Sequence, residues 1–191
     1  MKLIKYKEYL YKSMYYTGKG DKGTTKLFNS KDRVDKGEQI FEVLGSLDEL
    51  NSWLGLTFVE AEEGLEILEI IRKTQNDLFT CQAHFARSEV KIPKDFVSSL
   101  EEKIAQISNK IKPRASFVLS GGSKLSASLD VARTLARRAE RQALKLSDED
   151  KKEVVETVFI YLNRLSSLLY VLARLANDIY EAKESVPKYN N

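Results

Sequence analysis

Tyr161–Ala176 reads YLNRLSSLLYVLARLA. A helix drawn through it is apolar on nearly every side, which places it at the centre of a bundle. The same helix should extend over about Asp150 to Ala182. Its exceptions form a line, because Asn163, Ser166, Ser167 and Tyr170 recur at steps of three and four. Buried amides and hydroxyls need partners, so the line marks a hydrogen-bond network, a subunit interface or a binding surface.

The preceding segment, Val131–Arg141, reads VARTLARRAER. As a helix over about Lys124 to Leu146 it places Leu125, Leu129, Ala132, Ala136, Ala139 and Ala143 on one side. Arg133, Arg137 and Arg141 follow at i, i+4 steps along the border of that stripe, with Glu140 one turn from Arg137. Such a cationic edge suits an anion at a helix or subunit boundary. Three further amphipathic helices are read from apolar spacing: about Glu38 to Glu62, Leu65 to Ala86 and Lys94 to Lys112. Gly64, Pro93 and Pro113 separate or stop them. The first carries its own polar line, Asp48, Asn51, Ser52 and Gly55, and Asp48 is placed to pair with an arginine of the fourth helix. The fold class expected is all-α, a five-helix bundle in one domain spanning 15–182. Residues 1–14 form an N-terminal extension, read as a strand or ordered arm, and 183–191 a polar tail.

Composition narrows the chemistry. Lys and Arg total 31 against 28 acidic residues, a net charge of +3, which gives no global field for nucleic acid. One cysteine, Cys81, forms no intrachain disulfide and points to the cytoplasm. With His84 as the single histidine, zinc sites and His-based triads are poorly supported. No signal peptide and no run of about 20 apolar residues is read, so no membrane span is expected.

Two loops stand out. Tyr16–Thr25, YTGKGDKGTT, matches G-x-G-x-x-G at Gly18, Gly20 and Gly23, yet no buried strand precedes it and no helix follows. It also lacks the P-loop lysine, Thr24 standing there instead. What remains is a surface loop or a phosphate cradle built from backbone amides, Lys19, Lys22, Lys26, Thr24 and Thr25. Phe117–Ser123, FVLSGGS, feeds the arginine helix, and Ser123 is placed to cap it. An aromatic such as Phe117 is most simply a core residue.

The blocks YTGKGDKGTT, VLGSLDELNSWLGL, FVLSGGS, ARTLARRAER and FIYLNRLSSLLYVLAR occur in this order. Together, over about Tyr15 to Ala176, they resemble the PduO-type ATP:cob(I)alamin adenosyltransferases. The resemblance implies a five-helix bundle assembled as a homotrimer, with ATP and cobalamin between adjacent subunits. It implies that Thr17, Gly18, Lys19, Gly20, Thr25 and Lys26 wrap ATP from one subunit, with Lys36 following the loop. Arg137, Arg138, Glu140, Arg141 and Asn163 then come from the neighbour. Arg137 takes phosphate oxygens, while Glu140 and Asn163 orient the nucleotide and its magnesium, for which no side-chain metal cluster is expected. Arg133 and Asp48 match a salt bridge across the interface, and Phe117 the aromatic that displaces the lower axial ligand of cobalamin. Gly18 and Ser120 depart from the family's usual lysine and proline.

The resemblance also explains the lack of a nucleophile or histidine base. Cobalt(I) itself attacks the 5′ carbon of ATP and expels triphosphate, so the protein's task is to hold a polyanion and align the reactants. A reductase and a cobalamin-dependent enzyme are the implied partners. The rival is a non-catalytic ATP-binding trimer that senses nucleotide or carries cobalamin.

Overall fold

The structure is a computed structural model describing residues 16–114 and 116–188. The expected strand or arm at the N-terminus lies outside the described residues. Among them are six helices: α1 (Gln39–Glu60), α2 (Glu66–Phe85), α3 (Ser98–Ser108), α4 (Lys124–Leu144), α5 (Asp148–Lys152) and α6 (Glu156–Ile179). Two short strands, β1 (Thr24–Thr25) and β2 (Val34–Asp35), pair antiparallel, Thr24 opposite Asp35 and Thr25 opposite Val34.

The apolar run lies where its composition requires. Tyr161, Leu162, Leu165, Leu169, Leu172, Ala173 and Ala176 of α6 are fully buried. Its most extensive partner is α4, which meets it through the predicted stripe. Leu129, Ala132, Ala136, Ala139 and Ala143 have no exposed surface, and the four small side chains let the two helix axes approach closely. On the other side of α4 lies α1, where Trp53 Nε1 donates to Ser128 O at 2.9 Å and the Thr57 and Ser128 hydroxyls meet at 2.6 Å. Asn51 and Gln75 join α1 to α2 by exchanging amide bonds, Asn51 Nδ2 to Gln75 O at 3.1 Å and Gln75 Nε2 to Asn51 Oδ1 at 3.0 Å. Asn51 thus takes the structural part of its polar line, while Asp48 and Ser52 face outward.

Three expectations are corrected. The helix expected from Asp150 to Ala182 is broken: Ser147 caps the one-turn α5, and α6 starts only after Val155 adopts an extended conformation. The adjacent β-branched pair Val154 and Val155 is a weak helix former, and turning the chain there buries Val154. The third helix begins at Ser98 instead of Lys94 because Phe96 turns inward and stacks on Tyr161, ring centroids 4.4 Å apart. The segment from Tyr16 to Lys36, expected as loop throughout, contains the β1–β2 hairpin.

The 24-residue α6 includes an 18-residue window of mean hydropathy 1.3, long and apolar enough by length and composition alone to cross a membrane. Two-thirds of that window (67%) is buried by its neighbours, the environment of a core helix. Cys81 is fully buried, and burial followed by the Asp77 charge pushes its thiol up, leaving it inert.

Candidate functional site

The arginine helix starts from a turn that only glycine permits. Gly121 and Gly122 have φ of +115° and +112°. Ser123 then caps α4 as expected, its hydroxyl accepting from Ser126 N at 3.1 Å. Phe117, on the loop leading into this turn, is 84% exposed, so the simple reading of it as core is overturned.

That exposed ring lies at the mouth of a cleft of about 390 Å³. Arg133 and Arg137 of α4 form one wall, and Ser166, Ser167 and Tyr170 of α6 form the other. The cationic edge and the polar line therefore share one surface. Asp130 and Arg174 close its floor. Nε of Arg133 and Nε of Arg174 are buried without a hydrogen-bond partner. An arginine wall beside an exposed aromatic suits a ligand with both acceptor oxygens and an apolar face.

Farther along the groove between α4 and α6, Asn163 Nδ2 donates to Glu140 Oε1 at 2.6 Å, bringing two predicted site residues together. They line a second cleft of about 310 Å³. Arg141 is exposed on the same helix. Arg138 is engaged elsewhere, paired with Glu49 of α1. This ion pair joins α1 to the arginine helix within the chain, as Lys124 and Glu60 also do at 3.2 Å, and it involves Glu49 where Asp48 was expected. Arg133 instead approaches Asp130 Oδ1 of its own helix at 3.5 Å, so a single chain does not form the Asp48–Arg133 pair.

The glycine loop is folded by its own cations. Gly18 and Gly23 take positive φ, +68° and +79°. Lys36 Nζ donates to Gly20 O at 3.1 Å, Lys26 Nζ to Lys31 O at 2.6 Å, and Lys19 N to Thr17 Oγ1 at 3.4 Å. Thr25 contributes to β1. Sequence reasoning missed Arg33, whose guanidinium bonds Lys19 O at 2.6 Å, Thr24 O at 2.5 Å and Thr24 Oγ1 at 2.9 Å. Nothing in the charged stretch distinguished it from its neighbours. Among the described residues no hydrogen bond or ion pair joins this loop to Arg137, Glu140 or Asn163 within the chain.

A second group missed lies behind the first cleft. Arg174, 1% exposed at its side chain, pairs with Asp130 Oδ2 at 2.6 Å and Glu184 Oε1 at 2.7 Å. Arg114 pairs with Glu184 and with Asp178 Oδ1 at 2.9 Å. Burial pushes the Glu184 carboxyl up, but bonds from Arg114 and Asn177 and the Arg174 charge more than offset it, leaving it below its ordinary value. The available signal was Arg174 itself, a charge inside an apolar run.

The chain's relatives bear on what this site does. The family model for cobalamin adenosyltransferase matches residues 15–176. The corrinoid adenosyltransferase of Bacillus subtilis is 39% identical over 169 residues, covering 85% of this chain and 86% of that protein. The corrinoid adenosyltransferase PduO of Salmonella typhimurium is 40% identical over 87% of this chain, which spans 51% of that longer protein. Among solved structures, a phenylalanine variant of the PduO-type ATP:corrinoid adenosyltransferase from Lactobacillus reuteri, complexed with cobalamin and ATP, superimposes with a TM-score of 0.83. It is 31% identical and covers 91% of this chain and 99% of its own. An arginine variant of the same enzyme, complexed with ATP, gives 0.82. Family model, sequence and fold agree: the chain belongs to the cobalamin adenosyltransferase family.

Proposed function

We infer that this chain is an ATP:corrinoid adenosyltransferase, an enzyme that transfers the 5′-deoxyadenosyl group of ATP to cob(I)alamin and releases triphosphate. The observation that carries the reading is the cleft where exposed Phe117 meets Arg133 and Arg137. In the Lactobacillus reuteri variants the altered arginine follows the altered phenylalanine by twenty positions, the separation of Phe117 and Arg137 here.

Cobalt(I) attacks the 5′ carbon; a cobalt–carbon bond forms, the carbon–oxygen bond breaks, and its electron pair leaves with triphosphate. Arg137 binds the phosphate oxygens on which charge develops, and Arg141 extends the same cationic edge. Arg138 has a smaller part, because Glu49 already neutralises it. Glu140, oriented by Asn163, helps place the nucleotide and the magnesium that accompanies it. Phe117 fills the lower face of the corrin and excludes the axial donor, which makes the cobalt easier to reduce. Thr17, Gly18, Lys19, Gly20, Thr25, Lys26 and Lys36 wrap the nucleotide.

The wrapping loop and the arginine edge come from different copies in a homotrimer, with Asp48 of one subunit pairing with Arg133 of the next. The separation of loop and edge within one chain supports this arrangement. A reductase supplies the electron for cob(II)alamin, a cobalamin-dependent enzyme takes the product, and the setting is the cytoplasm.

Pre-reduced cob(I)alamin, magnesium and ATP should give the spectrum of adenosylcobalamin together with triphosphate. Arg137→Ala should keep its circular dichroism and lose about 100- to 1,000-fold in kcat/KM, the usual effect of removing one charge-stabilising donor. Tight ATP binding without triphosphate release would instead identify a sensor or carrier.

A further inference from the structure

No packing fixes the direction of the Phe117 ring, since the residue is 84% exposed. Its aim comes from the backbone on either side of it, in residues 112–114 and 116–123, which is tied down at three places. Near the start, Arg114 pairs with Asp178 and Glu184, and Lys112 N donates to Asp178 Oδ2 at 3.0 Å. Two residues after Phe117, Leu119 N donates to Ser185 O at 2.8 Å. At the end, Asn177 Nδ2 donates to Gly121 O and Ser123 N donates to Asn177 Oδ1, both at 2.9 Å.

One side chain joins the first and the last of these and lies next in sequence to the second. Glu184 Oε2 accepts from Arg114, and Oε1 accepts from Arg174 Nη1 at 2.7 Å and Asn177 Nδ2 at 2.9 Å. Its neighbour Ser185 makes the bond to Leu119. We propose that Glu184 is a positioning residue for Phe117: by docking the segment after α6, it sets the loop that aims the ring into the cleft. This rests on the reading of Phe117 as the residue that excludes the lower ligand.

Each donor has another partner. Arg174 keeps Asp130, Arg114 keeps Asp178, and Asn177 keeps Gly121. Removing Glu184 should therefore free the tail and the loop more than it loosens the bundle.

The test uses Glu184→Ala, the near-isosteric Glu184→Gln, Phe117→Ala and the Glu184→Ala/Phe117→Ala double variant. Glu184→Ala should speed hydrogen exchange at the Leu119 amide by about tenfold or more. With ATP present, it should lower several-fold the fraction of cob(II)alamin that becomes four-coordinate, read from its electronic and magnetic spectra. The KM for ATP with pre-reduced cob(I)alamin should stay within about twofold, and in the Phe117→Ala background the substitution should add less than about twofold to the cob(II)alamin defect. Glu184→Gln should fall between wild type and alanine. Wild-type Leu119 exchange, a wild-type four-coordinate fraction, or a full additional loss without Phe117 would overturn the proposal. So would failure of both single Glu184 variants to fold, which would assign Glu184 to stability alone. A wild-type protein that forms no adenosylcobalamin from cob(I)alamin would remove the site reading itself.

Discussion

Gly122 is confined to glycine by two separate constraints. Its φ is +112°, and a Cβ there would lie 2.6 Å from Asn177 Oδ1. Gly122→Ala should cost about 1–3 kcal/mol, seen as a lower denaturation midpoint, and should disturb the loop that carries Phe117. Phe117 calls for the opposite expectation, because an exposed ring contributes little to stability. Phe117→Ala should unfold like wild type and adenosylate pre-reduced cob(I)alamin better than cob(II)alamin supplied with a reductase. Equal losses in the two assays would count against its action on the axial ligand. Residues such as Arg137, Glu140 and Asn163 were legible because charge and amide groups interrupt a helical period. Glu184 and Arg33 were not, since their partners are set by tertiary approach. Arg114 and Glu184 are 70 residues apart in the chain.

Helices carried the most readable signal, and α4 shows why. A stripe of alanine beside a row of arginines can face a neighbouring helix in only one orientation, so the same pattern that buries Ala136 turns Arg137 outward. Ala136→Leu should overpack the α4–α6 contact and cost about 1–3 kcal/mol in chemical unfolding, with the arginines still present but displaced. Where a local pattern competes with a tertiary demand, the boundary moves. Phe96 leaves the periodic helix to stack on Tyr161, and the chain breaks at Val154–Val155 to seat Val154. The hairpin was least legible, because strands of two residues have no periodicity. Arg33 and its bonds to Lys19 and Thr24 hold that shape.

At the scale of the molecule, the network around Glu184 makes stability depend on acid. Its carboxyl lies below its ordinary value of 4.5 in the folded protein, so the contribution is present above that pH and fades as pH falls through the lower folded value. Wild type should melt above Glu184→Gln at neutral pH, and the two should converge on acidification below about pH 4.5 in thermal scans. The sign would reverse if the carboxylate were destabilised by burial alone. The proposed assembly belongs to this scale as well, and Asp48 and Arg133 were assigned to it by resemblance to the family, since helical periodicity says nothing about pairs between chains. Trp53 gives the molecule a reporter of its own. It is the chain's one tryptophan, half-buried, and its indole N–H is bonded to Ser128 O on the arginine helix. Intrinsic fluorescence excited at the indole band therefore reads a single known contact, and its red shift on unfolding would time the parting of α1 from α4 without any label.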